Sequence, residues 1–85
     1  MYKVFYLDSV QKDLDRLDRP TRLRVLNKIE KHLAKDPKGL GKPLTGQFKG
    51  LWRYRIGDFR VIYKVAEEEI LIIVARIGHR KNVYD

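Results

Sequence analysis

The sequence predicts an α+β fold: a strand, a two-helix hairpin, then a three-stranded antiparallel meander, with the helices packed on one face of a curved sheet. Three observations carry this. Alternating apolar and polar residues flank Gly57-Asp58, a favoured two-residue hairpin loop. Apolar residues recur at helical spacing between Val10 and Leu33. The opening segment is rich in the aromatic and β-branched residues that suit a strand.

Taken in order, residues 2–7 form the first strand. Asp8 can cap a helix, with Gln11 three residues on as its reciprocal partner, and Val10, Leu14 and Leu17 make that helix's apolar stripe. Asp18-Arg19-Pro20 restarts the chain, because proline is tolerated in a helix's first turn. Leu23, Leu26, Ile29 and Leu33 then predict a second helix over 20–35, stopped by Asp36-Pro37 and Gly39. Residues 37–50 hold four glycines and two prolines and read as a surface connection, with a short extended piece near Leu44. Strands follow over 51–56, 59–66 and 69–77, and the last is apolar enough to be central and covered on both faces.

Eighty-five residues suffice for one domain, 1–85, with a single modest core. No apolar run approaches the ~20 residues of a membrane span, and the amino terminus lacks the pattern of a signal peptide. The absence of cysteine fits a cytoplasmic protein. His32 and His79 are far apart in the sequence and show no obvious carboxylate partners there, which argues against a metal site. Nineteen basic residues against 11 acidic leave +8, and three of the five acids in residues 37–85 are the Glu67-Glu68-Glu69 turn. Such a field favours nucleic acid or an acidic protein.

The predicted hairpin sets Arg55 opposite Arg60 and Arg53 opposite Ile62. Trp52, Tyr54, Ile56, Phe59, Val61 and Tyr63 share the core face; Leu51, Arg53, Arg55, Arg60, Ile62 and Lys64 share the other. Like charges directly opposite one another cost stability, so a fold that keeps them there is holding an anion. Counting across a Glu67-Glu68 turn places Ala75 beside Arg60 and leaves a depression. Past the strand end, Gly78 allows a bend before His79, Arg80 and Tyr84. Arg53, Arg55, Arg60 and Arg80 could grip a phosphate, with Lys49 and Lys81 as further substrate-binding cations, while His79 or Tyr84 moves protons. RNA cleavage by attack of a 2′-hydroxyl on its neighbouring phosphate needs only such groups and no cofactor. His32, Trp52, Tyr54 and Tyr63 read as packing residues. Arg76 is predicted on the core-side face, in a structural salt bridge or snorkelling.

The runs PLTGQFKGLWRYRIGDFRVIYKV and VARIGHRKNVYD resemble the RelE/ParE superfamily of toxins from type II toxin–antitoxin pairs, closest to its RelE-like branch. The resemblance implies a ribosome-dependent, metal-independent endoribonuclease that cuts mRNA in the A site and so inhibits translation. It assigns the strand arginine to Arg60, the arginine after the last strand to Arg80 and the functional tyrosine to Tyr84. Arg53 and Arg55 fall where the best-known members carry lysines; this departure draws attention to His79 as the base, since related toxins use a histidine nearby. The implied partners are the ribosome with its mRNA and a cognate acidic antitoxin. Leu51, Ile62, Leu71 and Ile73 share the arginine face, so an amphipathic antitoxin segment would cover apolar and basic surface together. The alternative is a ParE-like DNA gyrase inhibitor without nuclease activity.

Overall fold

Aspartate followed closely by proline starts two helices in this chain. Asp18 accepts a hydrogen bond from the Thr21 amide, with Pro20 in the first turn, and Asp36 accepts one from the Gly39 amide at 3.0 Å, with Pro37 at the first helical position. A computed structural model describes residues 1–79. Their elements are β1 (Lys3–Tyr6), α1 (Asp8–Asp15), α2 (Arg19–Lys31), α3 (Pro37–Leu40), β2 (Lys42–Pro43), β3 (Trp52–Ile56), β4 (Phe59–Ala66) and β5 (Leu71–His79). Short 3₁₀ turns occupy Leu33–Lys35 and Gly46–Phe48.

Several details depart from expectation. Leu7, not Asp8, takes the extended capping position of α1, and no side chain caps it. Asp8 is instead the first helical residue, where its charge suits the helix dipole. Gln11 donates to Asp15 one turn on, at 2.9 Å. α2 ends at Lys31, and the remaining turn tightens to 3₁₀. Asp36-Pro37 does stop that run, yet the same pair opens α3, so 37–50 is not wholly loop. The extended piece expected near Leu44 is β2, and the Leu44 amide continues its pairing to the Leu51 carbonyl at 2.9 Å.

The five strands form one sheet in the order β1-β5-β4-β3-β2, with β1 parallel to β5 and the other pairs antiparallel. Val10, Leu14, Val25, Ile29 and Leu33 from the helical half pack on Ile56, Val61, Tyr63, Ile72, Val74 and Ile77. The helices therefore cover one face, as predicted. β5 is central, but only its helix-side residues are sealed; Leu71 and Ile73 on the other face are half-buried. Two side-chain bonds tie the layers together. The Tyr6 hydroxyl donates to Glu30 at 2.7 Å, and the buried Tyr63 hydroxyl donates to the Pro37 carbonyl at 2.6 Å.

The β4–β5 connection is longer than expected. Ala66 pairs with Leu71, so Glu67 to Ile70 form a four-residue link in which Ile70 adopts φ 50. Left-handed backbone strains a β-branched residue. Further along, Ile62 pairs with Arg76 while Tyr63 pairs with Val74, making Ala75 the extra residue of a β-bulge. The strand then runs on through His79.

Candidate nucleic-acid interface

The sheet face away from the helices is built by register. Pairing across β3–β4 sets Arg55 opposite Arg60 and Arg53 opposite Ile62, as the Gly57-Asp58 turn predicts. Pairing across β4–β5 then sets Gly78, not Ala75, beside Arg60. A glycine leaves more room there than the expected alanine would. The bulge also overturns the placement of Arg76: with two residues between core-facing Val74 and Ile77, Arg76 lands opposite Ile62 on the arginine face, exposed. On the other flank Lys42 pairs with Arg53.

Two rows of side chains result. One is Arg55, Arg60 and Gly78; the next is Lys42, Arg53, Ile62 and Arg76. No residue in any of the five strands is acidic. Ile62 is only 6% exposed although it lies outside the core cluster packed by the helices. Its strand neighbours Arg60 and Lys64 and its cross-strand partners Arg53 and Arg76 are all long, and such side chains cover apolar surface with their stems. Arg60 is half-buried, with its Nε and Nη1 atoms withdrawn from solvent. A guanidinium held this way offers a partly desolvated charge, on which a phosphate binds more strongly than in water. Beyond these rows the face turns apolar: Phe5 beside Ile73, and Lys3 and Ala66 beside Leu71.

Two interactions hold the arginine end in place. The bulge leaves the Ile77 amide to a carboxylate, and Asp13 of α1 accepts from it at 2.9 Å. At the other edge, Gly41 passes over the Tyr63 hydroxyl, where a Cβ would collide, and that close passage brings Lys42 against Arg53. Burial pushes the Tyr63 phenol well above its ordinary value, with Tyr54 and Asp36 adding to the effect. It is a hydrogen-bond donor, not a proton carrier. Tyr54 is raised by burial too.

The remaining sequence-predicted residues are distributed differently. Lys49 is exposed and follows the 3₁₀ turn before β3, off the strand rows. His79 continues β5 in register with Phe59, its ring edge-on to the Phe59 ring at 5.8 Å. That pairing sets it on the opposite side of the sheet from Arg60, in a cleft of about 230 Å³ shared with Asp13, Arg16 and Asp18. Arg80, Lys81 and Tyr84 lie outside the described residues. Sequence reasoning missed Lys42 and Arg76. The GKP segment ahead of the hairpin could have signalled Lys42; an all-apolar run hides a bulge, so nothing signalled Arg76.

Comparison with known proteins bears on this surface. The family described as ParE toxin of type II toxin–antitoxin system, parDE, matches residues 4–84. Toxin RelG of Mycobacterium tuberculosis is 26% identical over 83 residues, 98% of this chain and 95% of its own. Toxin RelE of the same organism is 29% identical over 83 residues, 98% of this chain and 86% of its own. The crystal structure of the toxin–antitoxin complex RelBE2 from that organism has a TM-score of 0.89 at 26% identity, covering 93% of this chain and 98% of that one.

Proposed function

The chain belongs to the ParE toxin family of type II toxin–antitoxin systems, and on that premise we propose that it arrests translation by cutting mRNA in the ribosomal A site. The single observation that carries this reading is the cation set on an acid-free sheet face, Arg55 against Arg60 with Gly78 alongside and Arg53 and Arg76 in the adjoining row. The relatives' names add support, since the matched mycobacterial proteins are RelG and RelE toxins.

In the proposed reaction the 2′-oxygen of one ribose forms a bond to the adjacent phosphorus while the bond to the 5′-oxygen breaks. The 2′-hydroxyl gives up its proton and the departing 5′-oxygen gains one. Arg60, Arg55 and Arg53 hold the phosphate and offset the charge that builds on its oxygens, with Arg80 as a fourth cation. Guanidinium groups stay protonated and His79 lies across the sheet from Arg60, so proton movement falls to Tyr84 and solvent. Lys49 and Lys81 add substrate-binding charge. No metal enters this chemistry. The partners are the ribosome with its mRNA and an acidic antitoxin, which the apolar ground around Phe5, Leu71 and Ile73 suits.

A purified translation system tests the proposal. Wild-type protein should cut mRNA at the A-site codon, with cutting lost in folded Arg60→Ala and Arg80→Ala variants and slowed in Tyr84→Phe, while His79→Ala, across the sheet, should cut as wild type does. Intact message beside programmed ribosomes would overturn it. The family's description, which names parDE, favours a second reading: a DNA gyrase inhibitor without nuclease activity. Inhibited supercoiling with uncut message would establish that reading instead.

A further inference from the structure

The β2 end of the cationic rows forms a concavity in which the proposed reaction uses Arg53 and Arg55 but leaves Leu40 and Lys42 without a task. It measures about 220 Å³ and is lined by Leu40 from α3, Lys42 from β2, and Arg53 and Arg55 from β3. Arg60 is not among its walls. Arg60 and Lys42 stand two strands apart, a lateral separation of about 10 Å. The pair therefore spans neighbouring units of a polymer more readily than two oxygens of a single phosphate. Leu40, 48% exposed, sets an apolar side chain on the rim beside those cations. Cations for a backbone and an apolar wall for a flat ring are what one nucleotide of a single strand requires.

The geometry points to a nucleotide subsite formed by Leu40 and Lys42, flanking the phosphate held at Arg60, so that single-stranded RNA crosses the sheet from β4 toward β2. This assignment rests on the RNA-cleaving reading and extends it to the neighbouring nucleotide. Lys42 binds the adjoining phosphate; Leu40 packs on the base. RNA is the occupant assigned here, because the apolar ground that an amphipathic antitoxin segment needs lies toward β1, at the far side of the face. The positioning is built in: the Tyr63 hydroxyl anchors α3 through Pro37, and the close passage of Gly41 over Tyr63 fixes β2 against β3.

The test uses fluorescently labelled 2′-O-methyl RNA, which presents phosphates and bases but has no attacking hydroxyl. Binding of di-, tetra- and hexanucleotides to the full chain is followed by anisotropy over a salt series. Wild-type affinity should rise from dinucleotide to tetranucleotide. Lys42→Gln should remove about tenfold of that rise and leave the dinucleotide within about twofold, as expected for one charge-assisted contact. Its salt slope on the tetranucleotide should flatten by about 0.7, the share of one phosphate on a single strand. Leu40→Ala should reduce the rise without altering the salt slope, and Lys35→Gln, on the helical side, should do neither. A length-independent wild type, an equal loss on all lengths in Lys42→Gln, or an effect of Lys42→Gln on antitoxin-peptide binding alone would each overturn the subsite. Message cleavage in the translation assay is a separate measurement. Length-dependent binding with uncut message retains the subsite and removes the nuclease; cut message with no length dependence does the reverse.

Discussion

On the proposed reading, Arg60 serves function against stability. It faces Arg55 across the hairpin and keeps two guanidinium nitrogens out of solvent, an arrangement in which like charge and desolvation both raise the energy of the folded chain. Replacing it with an apolar side chain of similar reach removes both costs. Arg60→Leu should leave the unfolding free energy within about 1 kcal/mol of wild type, measured by urea denaturation, while single-turnover message cleavage falls by about 100-fold. A variant that loses stability along with activity would show that Arg60 is structural. The Arg55–Arg60 opposition was legible in the sequence, because a two-residue Gly-Asp turn fixes register and register fixes faces. Arg76 was not, and neither was the place of His79. Both depend on the register of β5, which a four-residue link and a bulge set and no Gly-Asp-type signature announces.

At the scale of elements, β5 explains why. Every residue from Ile70 to Ala75 is apolar, so sliding the strand puts no polar group in the core and the pattern cannot report a slip. Geometry decides instead: a four-residue link and the bulge at Ala75 move Arg60's neighbour from Ala75 to Gly78 and turn Arg76 onto the cationic face. Asp13 is the clamp on that arrangement, since its carboxylate accepts the Ile77 amide just past the bulge. Asp13→Ala should cost about 1–3 kcal/mol, the range for leaving a shielded amide without its acceptor. It should also slow cleavage by displacing Arg76 and Gly78, with Asp13→Asn recovering much of both. Equal stability of Asp13→Ala and wild type would remove the clamp from the account. The helical half was easier to read because its aspartate–proline starts are local signals. α3 escaped notice since the same Asp36-Pro37 that ends one helix begins the next.

For the molecule as a whole, the sheet divides two kinds of chemistry. One face is sealed under helices, and the other is left cationic toward β2 and apolar toward β1. Among the described residues no helix is long and apolar enough to cross a membrane. The sealed side carries phenols whose ionisation is suppressed. Burial, the hydrogen bond to Glu30 and its charge raise Tyr6, while burial, Tyr54 and Asp36 raise Tyr63, each from an ordinary value of 10.0. The sign follows from the folded form holding these protons more tightly. Their stabilisation is complete below that ordinary value and is lost as pH climbs past it, because the unfolded chain ionises first. Urea midpoints should therefore stay level from neutral pH to about pH 9 and fall steadily by about pH 11. The fall should be shallower in Tyr6→Phe, and a flat profile across that interval would refute the assignment.

The parallel pairing of β1 with β5 carries a consequence for how the protein comes into being. β1 has no hydrogen-bonding mate until β5, about 65 residues later, has been synthesised, and contacts so distant in sequence form late. A polypeptide cut short before Leu71 would possess the Arg55–Arg60 hairpin yet lack the scaffold that holds it rigid. Topology thereby withholds the complete cationic face, Gly78 and Arg76 included, from unfinished copies.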